Sequence, residues 1–502
     1  MTGVSAEPAL RRQDRPSAHR QHRAAVPVLL VASLLLCGWL DRRALVLMLL
    51  VTTSDFLIAR RLAATTRLGL RRLLIGASVS VDVGLLLAWR VGGLWEGLAG
   101  WSAGASWHAS SGMQWVVPVG LSFFTLRSLG FVVDVRRGAA APCASWTRYA
   151  TFLCFFPAFV AGPISRGSQL LPQLESGLGL RWRGVVEGAS VFAQGLAKKM
   201  LIADRLATIA DPVFAAPGLY PPWTVAAGVL AYSLQIFCDF SGYTDMAIGA
   251  ARVIGVDLPR NFNLPYASAD ITEFWRRWHI TLSTWLRDYV FLPLAYVGSR
   301  RIDALGVARR SGELLNYGVV SLVTMLFAGV WHGSGAGFLV WGGAHGLALA
   351  GHRMWRGGGR RTRRMPTWLA RTLTFAFVTL AWVPFRASSM TDAGRVYSSL
   401  LGLGASRTFP WYPSWLPICA AAVLLGHLVT RWCNAPVWTP VQGAAARLRE
   451  ALGLRAAEWP LAGTYLVPAR VTVAGAFLIT LFVVSIFLFA PSQVGPFVYA
   501  AF

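Results

Sequence analysis

Repeated apolar runs are the feature of this 502-residue sequence that most restricts its fold. A membrane-spanning helix needs ~20 predominantly apolar residues, and most of the runs approach that length. They lie at about 26–40, 44–59, 73–89, 113–133, 148–164, 185–203, 223–238, 240–256, 316–331, 334–350, 368–385, 412–431 and 469–490. Because several are shorter than a full span, we expect roughly ten to twelve crossings, some of them tilted or half-length. The pattern predicts an all-α, polytopic membrane protein.

The composition agrees with a membrane location. Hydrophobic residues make up 55% of the chain and charged residues only 14%, whereas soluble domains carry about 25% charged residues. The 22 tryptophans suit membrane–water interfaces, where this side chain is enriched. The formal net charge of +25 does not indicate nucleic-acid binding, because the basic residues are spread over short segments between apolar runs. A nucleic-acid module would need a polar domain to carry them.

Arginine clusters predict which loops face the cytoplasm, by the positive-inside rule. These clusters lie at 60–72, 181–183, 300–310 and 353–364. Residues 1–25 are polar and arginine-rich, and we expect a disordered cytoplasmic tail there. The first apolar run lacks a small-residue cleavage site, so a cleaved signal peptide is not expected. Residues 26–502 are expected to form one multi-helix membrane domain.

Motifs of several common enzyme and metal-binding classes are missing from the sequence. It contains neither HExxH nor GxSxG, which argues against a zincin or a nucleophile-elbow hydrolase. The six cysteines have no C-x-x-C spacing, and most lie inside apolar runs. We therefore expect buried thiols, with neither a metal site nor a disulfide.

One stretch, 257–310, is too polar to span a membrane yet is rich in Trp, Phe and Pro. We expect it to lie in the interface, or to re-enter the protein and wall a cavity. Within it, Asp270 and Glu273 predict the N-terminus of a helix over 270–290. Aromatic and apolar residues then recur at spacings of three and four, which predicts an aromatic face. They are Trp275, Trp278, Leu282, Trp285 and Tyr289.

Two histidines beside tryptophans are candidates for a buried site. His279 shares the aromatic face, where its charged form is disfavoured. His332, in AGVWHG at 328–333, ends an apolar helix at a glycine-rich junction that can leave room for a ligand, and a second helix is expected to start near Phe338. His345 lies in that next helix, at a helix-packing surface. The alternative interpretation of each histidine is a hydrogen-bonded core residue.

Carboxylates inside apolar sequence form a second candidate group. Asp239 and Asp245 lie in the run YSLQIFCDFSGYTDMAIGAARVIGV, where charged groups are expensive and are functional hypotheses by default. The alternative is that each simply pairs with an arginine on another helix. The candidate arginine partners are Arg127, Arg136 and Arg166.

The sequence resembles the membrane-bound O-acyltransferases (MBOAT), and most closely the bacterial branch that includes alginate O-acetyltransferases and the teichoic-acid D-alanylation membrane protein. The resemblance covers about 29–400 and is strongest over 118–387. The stretches that carry it are PVGLSFFTLRSLGFVVDVRRG (118–138), FFPAFVAGPISRGSQLLPQL (155–174), GLAKKMLIADRLA (195–207), QIFCDFSGYTDMAIGAARVIGVDLPRNFNLPYASADITEFWRRWHITLSTWLRDYVFLPL (235–294), AGVWHGSGAGFLVWGGAHGL (328–347) and LTFAFVTLAWVPFRA (373–387).

The resemblance implies helices around a central tunnel in a bacterial inner membrane. It maps the catalytic histidine to His332, as a general base, and a second functional histidine to His279. The remaining substrate-binding or tunnel candidates are Trp275, Trp278, Trp331, Asp239, Asp245 and Asn261. No bound cofactor is implied. The expected co-substrate is a cytoplasmic acyl thioester, either acetyl-CoA or an acyl carrier protein.

The resemblance also implies an acceptor and a partner. The acceptor is a hydroxyl group, and its acylation serves to modify an extracytoplasmic polysaccharide such as alginate. Membrane lipid is expected to surround the protein. An extracytoplasmic acyltransferase-like or esterase-like protein is the expected partner. The sequence departs from the family pattern at several positions that can line the acceptor's path, but none of them is a proposed catalytic group. These are Phe124, Arg127, Ala158, Arg260, Ala295 and Tyr296.

Two other classes of function fit an intramembrane set of Asp and His residues. A glycan or lipid transporter could use them for proton coupling, although no internal repeat of the kind found in many transporters is evident. A non-catalytic membrane scaffold for envelope modification is the third hypothesis.

Overall fold

The computed structural model describes residues 18–103, 118–306, 308–357 and 365–403, with C-terminal pieces at 417–418, 420–421, 423, 454–459, 461–468, 480–481 and 483–484. The α-helices, in chain order, are α1 (Ala18–Leu40), α2 (Arg42–Ala64), α3 (Leu68–Ala103), α4 (Leu121–Arg137), α5 (Trp146–Cys154), α6 (Gly167–Ser176), α7 (Trp182–Ala197), α8 (Asp204–Ala215), α9 (Pro222–Val253), α10 (Ile271–Arg277), α11 (Ile280–Leu286), α12 (Leu292–Ala304), α13 (Arg309–His332), α14 (Ala336–Gly357), α15 (Thr367–Arg386) and α16 (Met390–Leu400). Short 3₁₀ helices lie at Phe156–Ala158, Pro217–Leu219 and Pro265–Ala267, and π-helical turns at Lys198–Ala203 and Arg287–Phe291.

The predicted helical class is confirmed, with one small exception. Strands β1 (Leu454–Trp459) and β2 (Gly463–Pro468) form an antiparallel hairpin in which Leu454 is opposite Pro468. The prediction had no strand, because neither segment shows the alternation of apolar and polar residues typical of a half-buried strand. The hairpin packs near α7 and α9, where the Tyr465 hydroxyl donates to Asp245 Oδ1 at 3.0 Å.

Among the described residues, three helices are long and apolar enough to cross a membrane: Pro222–Val253, Arg309–His332 and Thr367–Arg386. This number does not confirm the expected ten to twelve crossings, and the apolar runs at 412–431 and 469–490 lie mostly outside the described residues. Helix α1 begins at Ala18, within the predicted tail 1–25, and the extent of the tail stays a prediction. Residues 1–17 lie outside the described residues.

Helix α9 is the central element of the fold. In its most apolar window 89% of the residues are buried inside the protein, against 44% for α13 and 33% for α15. Helices α7, α8, α15 and α16 all pack against it. The more exposed faces of α13 and α15 are therefore the ones available to lipid. As expected, the described cysteines are buried: Cys37, Cys143, Cys154 and Cys238.

Two glycine pairs bring α7 and α9 into close contact. Gly188 faces Gly249, and two turns further along Gly195 faces Gly242. A Cβ atom added to Gly249 would lie 2.5 Å from the Gly188 carbonyl oxygen, and one added to Gly195 would lie 2.4 Å from that of Gly242. Small residues at such positions let helix backbones approach closely in membrane proteins. The contact fixes how far α7 and α9 are shifted relative to each other along their axes.

We expect Gly249→Leu to destabilise the protein by about 3 kcal/mol or more, because the new side chain has no space against the α7 backbone. Thermal unfolding of the purified full chain in detergent measures this change. Gly351→Leu is the matched control, since a Cβ atom at Gly351 of α14 meets no atom within 4 Å. Equal unfolding temperatures for the two variants would show that α7 and α9 are not in close contact.

Candidate active site

The predicted continuous helix over 270–290 is wrong, although its N-terminus is confirmed. Asp270 Oδ1 accepts the Glu273 backbone N–H at 2.8 Å, and Glu273 Oε2 accepts that of Ala269 at 2.7 Å. The helix then ends at Arg277, and α11 begins at Ile280. His279, between them, has the left-handed backbone angles φ 41° and ψ 54°. Few non-glycine residues adopt this conformation, and such strain is concentrated at functional sites.

Asn261 explains why the chain can break there. Its backbone carbonyl accepts the Ile280 N–H at 2.8 Å, and its side-chain Oδ1 accepts the Thr281 N–H at 3.2 Å. The first N–H groups of a helix have no partner within that helix, so these bonds stabilise the start of α11. Trp275 consequently lies on α10, Trp285 on α11 and Tyr289 on the π-helical turn, while Trp278 lies in the break between the two helices.

Asn261 also determines the tautomer of His279. Asn261 Oδ1 accepts hydrogen bonds from the Thr281 backbone N–H and from Thr281 Oγ1, at 3.2 and 2.9 Å, so this atom is the amide oxygen. The same oxygen lies 3.0 Å from His279 Nδ1. Nδ1 must therefore carry the proton and donate it, which leaves Nε2 as the hydrogen-bond acceptor of the neutral ring.

His279 is neutral at the pH of a cell. The side chain is 1% exposed, and desolvation by burial lowers its pKa to about 3. The pKa of an unfolded-state histidine is about 6.5, so the stabilisation from burying the neutral ring is complete above that value. It is lost as the pH falls toward 3, because the unfolded chain then binds a proton that the folded chain does not.

His332 lies at the last residue of α13, and the predicted junction is confirmed because α14 begins at Ala336. The imidazole is 4% exposed. Its ring centroid is 4.7 Å from that of Trp331, 5.1 Å from that of Trp341 and 5.3 Å from that of Phe385. These three rings surround the imidazole with apolar surface that cannot solvate a positive charge.

Trp331 brings the two predicted histidines together. Its indole lies 6.1 Å from the His279 ring and 4.7 Å from the His332 ring, measured between centroids. Indole Nε1 donates to the Ser122 carbonyl of α4 at 3.3 Å, which holds the ring in place. Phe123, the next residue of α4, packs at 5.3 Å from Trp331 and at 6.5 Å from His279. The site is thus walled by α4, α11 and the α13–α14 junction.

His345 belongs to the same aromatic cluster, although its sequence position predicted only a helix-packing surface. It is fully buried, and its Nδ1 accepts the Trp275 Nε1–H at 3.3 Å. Trp341 lies between the two histidines of α13 and α14, 5.1 Å from His332 and 5.0 Å from His345. Trp278 packs behind the cluster, 5.1 Å from Trp382. No local sequence signal distinguished Trp341 from the other tryptophans.

The candidate carboxylates pair with lysines, so the predicted arginine partners are wrong. Asp239 Oδ1 lies 2.8 Å from Lys199 Nζ, which also binds Asp204 at 2.8 Å, and Asp245 Oδ2 lies 2.5 Å from Lys198 Nζ. Both lysines belong to the π-helical turn after α7. The structure places these carboxylates in an ion-pair network between α7, α8 and α9, where removal of one partner would leave a charge uncompensated.

The arginines have other contacts. Arg127, although 2% exposed, donates to the carbonyl oxygens of Leu153 at 3.2 Å and of Ala158. Arg166 binds the carboxylate of Asp288. In the part of the chain that the structure describes, no group of three or more His, Cys, Asp or Glu side chains is placed to hold a metal ion.

The fold and the two buried histidines define a helical membrane protein whose candidate active site is enclosed by apolar side chains. Comparisons with known proteins identify its family. The membrane-bound O-acyltransferase family model matches residues 144–389. The probable alginate O-acetylase of Pseudomonas aeruginosa is 36% identical over 391 residues, which is 75% of this chain and 70% of that relative. The chain therefore belongs to the membrane-bound O-acyltransferase family, and the resemblance seen in its sequence is confirmed.

Two further relatives are also named as acyl-group transferases. The peptidoglycan O-acetyltransferase of Helicobacter pylori is 36% identical over 318 residues, 57% of each chain. The teichoic acid D-alanyltransferase of Bacillus subtilis is 27% identical over 282 residues, 53% of this chain and 68% of that relative. Together with the family match, they support the prediction that the protein is an acyltransferase enzyme.

Proposed function

We propose that this protein transfers an acetyl or other short acyl group from a thioester at the cytoplasmic face to a hydroxyl, for modification of an extracytoplasmic polysaccharide. The observation that carries the proposal is the pair of buried histidines on either side of Trp331 in a chain of the acyltransferase family. The relatives' names, which refer to alginate, peptidoglycan and teichoic acid, favour an envelope polymer as acceptor.

His332 is the proposed general base. Its imidazole removes the hydroxyl proton of the acceptor as the oxygen attacks the thioester carbonyl carbon. When the tetrahedral intermediate collapses, the C–S bond breaks and the leaving thiolate takes the proton from the imidazolium of His332. The apolar rings around it keep the resting imidazole neutral and exclude water, which would otherwise compete as the acceptor.

His279 is proposed to position the acceptor. Because Nδ1–H is committed to Asn261, Nε2 can accept a hydrogen bond from the acceptor hydroxyl. In this tautomer Nε2 has no proton to donate to the oxyanion of the intermediate. The role that it favours for His279 is therefore orientation of the acceptor hydroxyl. Trp275, Trp278 and Trp331 are proposed to shape the path through which the substrates meet. Asp239 and Asp245 are proposed to hold α9 in place.

The wider arrangement follows the family. We place the protein in a bacterial inner membrane as one domain of ten to twelve crossings around a tunnel, with the arginine-rich ends of α13 and α14 in the cytoplasm. The donor enters there, as acetyl-CoA or an acyl carrier protein. An extracytoplasmic acyltransferase-like or esterase-like partner completes transfer to the polysaccharide on the other side.

The test is to measure ester-linked acetate in extracellular and envelope polysaccharide from a deletion strain complemented with wild type or with His332→Ala. We expect wild type alone to restore the ester, with polymer export unchanged in all strains. Loss of export in the deletion strain would indicate a transporter. Restoration of the ester by His332→Ala would indicate a non-catalytic scaffold.

A further inference from the structure

Two buried aspartates face each other on helices that do not wall the histidine site. The carboxyl group of Asp55, on α2, contacts the Asp82 carboxyl group and the Ser78 hydroxyl, both on α3. Asp55 is 1% exposed, and Asp82 and Ser78 are 0% exposed. We call these three residues the aspartate site. No step of the proposed acyl transfer uses them, and buried carboxylates in a membrane protein are functional hypotheses by default.

A relay of hydroxyl groups holds one side of the aspartate site. Ser128 Oγ, on α4, donates to Asp55 Oδ2 at 2.6 Å, and it lies 3.0 Å from the Tyr149 hydroxyl of α5. Because the Ser128 proton is committed to Asp55, Tyr149 is the donor in the second hydrogen bond. Hydrogen bonds donated to an ionised carboxylate are the stronger kind, so the relay favours a negative charge on Asp55.

The other side of the site consists of oxygen atoms without a hydrogen-bond partner. They are Asp55 Oδ1, both carboxylate oxygens of Asp82 and Ser78 Oγ, and all of them are buried. In the part of the chain that the structure describes, the titratable side chains that face the two carboxyl groups from neighbouring elements are Tyr149 and, behind it, Cys143. Neither of these side chains is a cation. The oxygens of the site therefore meet without a positively charged protein group between them.

Two adjacent carboxylates cannot both stay charged in this environment. A buried charge is costly unless it is paired, and two like charges side by side add repulsion. One positive charge between Asp55 Oδ1 and Asp82 would remove the repulsion. A divalent cation fits poorly, because Ca²⁺ takes about 6–8 oxygen ligands and Mg²⁺ needs an octahedral set. The described residues of the site offer four oxygens, and the backbone carbonyls of α2 and α3 bond within their own continuous helices.

We propose that Asp55 and Asp82 bind one monovalent cation, a proton or a sodium ion, between Asp55 Oδ1 and the Asp82 carboxyl group. A proton on Asp82 makes this group a hydrogen-bond donor to Asp55. A sodium ion is instead coordinated by both carboxyl groups and by Ser78 Oγ. In either form the remaining negative charge is on Asp55, where Ser128 donates to it.

The bound cation joins the N-terminal helices to one wall of the histidine site. Asp55 lies on α2, Asp82 on α3 and Ser128 on α4. Helix α4 also carries Phe123, whose ring centroid is 6.5 Å from that of His279. Loss of the cation would leave two repelling carboxylates between α2 and α3. The stability of the fold should therefore depend on the cation that the site binds.

The first measurement tests sodium. Thermal unfolding of the full chain in detergent is followed at neutral pH while sodium chloride replaces choline chloride, up to about 150 mM. If the site holds Na⁺, the unfolding temperature of wild type rises by about 2–5 °C, and the purified chain binds ²²Na⁺. Asp82→Asn should show neither effect, because its amide is neutral and itself donates to Asp55 Oδ1.

The second measurement tests the proton. An aspartate in an unfolded chain has lost its proton above about pH 5. If the folded pair holds one proton, the folded chain binds more protons than the unfolded chain, so wild-type stability falls as the pH rises from about 6 to about 9. We expect the unfolding temperature to fall by about 2–5 °C relative to Asp82→Asn, without sodium dependence. The infrared C=O band of protonated carboxyl groups should be stronger in wild type than in Asp82→Asn.

Asp257→Asn is the matched control, because the Asp257 carboxylate is already paired with Arg252 at 2.8 Å. This variant should keep the cation dependence of wild type. Equal responses of wild type and Asp82→Asn to sodium and to pH would overturn the proposal, as would loss of the response in Asp257→Asn. If Asp82→Asn does not fold, the wild-type measurements decide. Binding of ²²Na⁺ or a protonated-carboxyl band then supports the site, and the absence of both contradicts it.

Discussion

Acyl transfer is expected to be abolished in His332→Ala, with the protein still folded and inserted in the membrane. General-base assistance alone contributes about 10²–10⁴-fold to a rate, and the group lost here acts in the transition state. The side chain lies at the end of α13, where Gly333 follows, so its removal leaves the helix hydrogen bonds intact. Ester-linked acetate in cells, divided by the abundance of the protein in membranes, measures the effect.

His332→Gln tests the role of His332 as general base without leaving the cavity that alanine would leave. The amide can hydrogen-bond, but it cannot take up a proton at neutral pH, so this variant should also be inactive. His345→Gln is the matched control, because His345 is equally buried in the same aromatic cluster and has no proposed catalytic role. We expect it to retain activity within about 10-fold of wild type. Near-normal acylation by His332→Gln would show that His332 is not the base.

Features governed by local sequence were predictable. The Asp270–Glu273 pair starts a helix because both side chains bind N–H groups within four residues of themselves. The end of α13 at His332 and the start of α14 nearby follow from the glycine-rich junction between two apolar runs. The family motif and the apolar surroundings pointed to His332 independently, and the structure places it among aromatic rings.

Features that depend on distant parts of the chain were not predictable. The break at His279 depends on Asn261, whose backbone and side chain replace helical hydrogen bonds 18 residues or more away in sequence. The partners of Asp239 and Asp245 are lysines of a π-helical turn, which no periodicity reveals. The pocket lined by Arg276, Arg310 and Arg353 forms only where α10, α13 and α14 meet. In each case a residue's role was decided by packing between elements.

The break at His279 also affects what is expected when that residue is substituted. We expect His279→Ala to lower acyl transfer by about 10- to 1,000-fold, as the loss of one oriented polar group in a dry site commonly does. Alanine is strained at the positive φ of this position, so some loss of stability is expected as well. Activity must therefore be compared with membrane abundance in the same cells.

His279→Asn separates positioning of the acceptor from support of the fold. Asparagine tolerates the left-handed conformation, and its amide N–H can replace Nδ1–H as the donor to Asn261, but it has no atom in the place of Nε2. We expect normal membrane abundance with activity as low as that of His279→Ala. Because the pKa of His279 is about 3, its ionisation should not affect the wild-type rate between pH 5 and 8. Full activity of His279→Asn would show that His279 only stabilises the break between α10 and α11. If both variants lose membrane abundance and activity in parallel, His279 is a structural residue of the core.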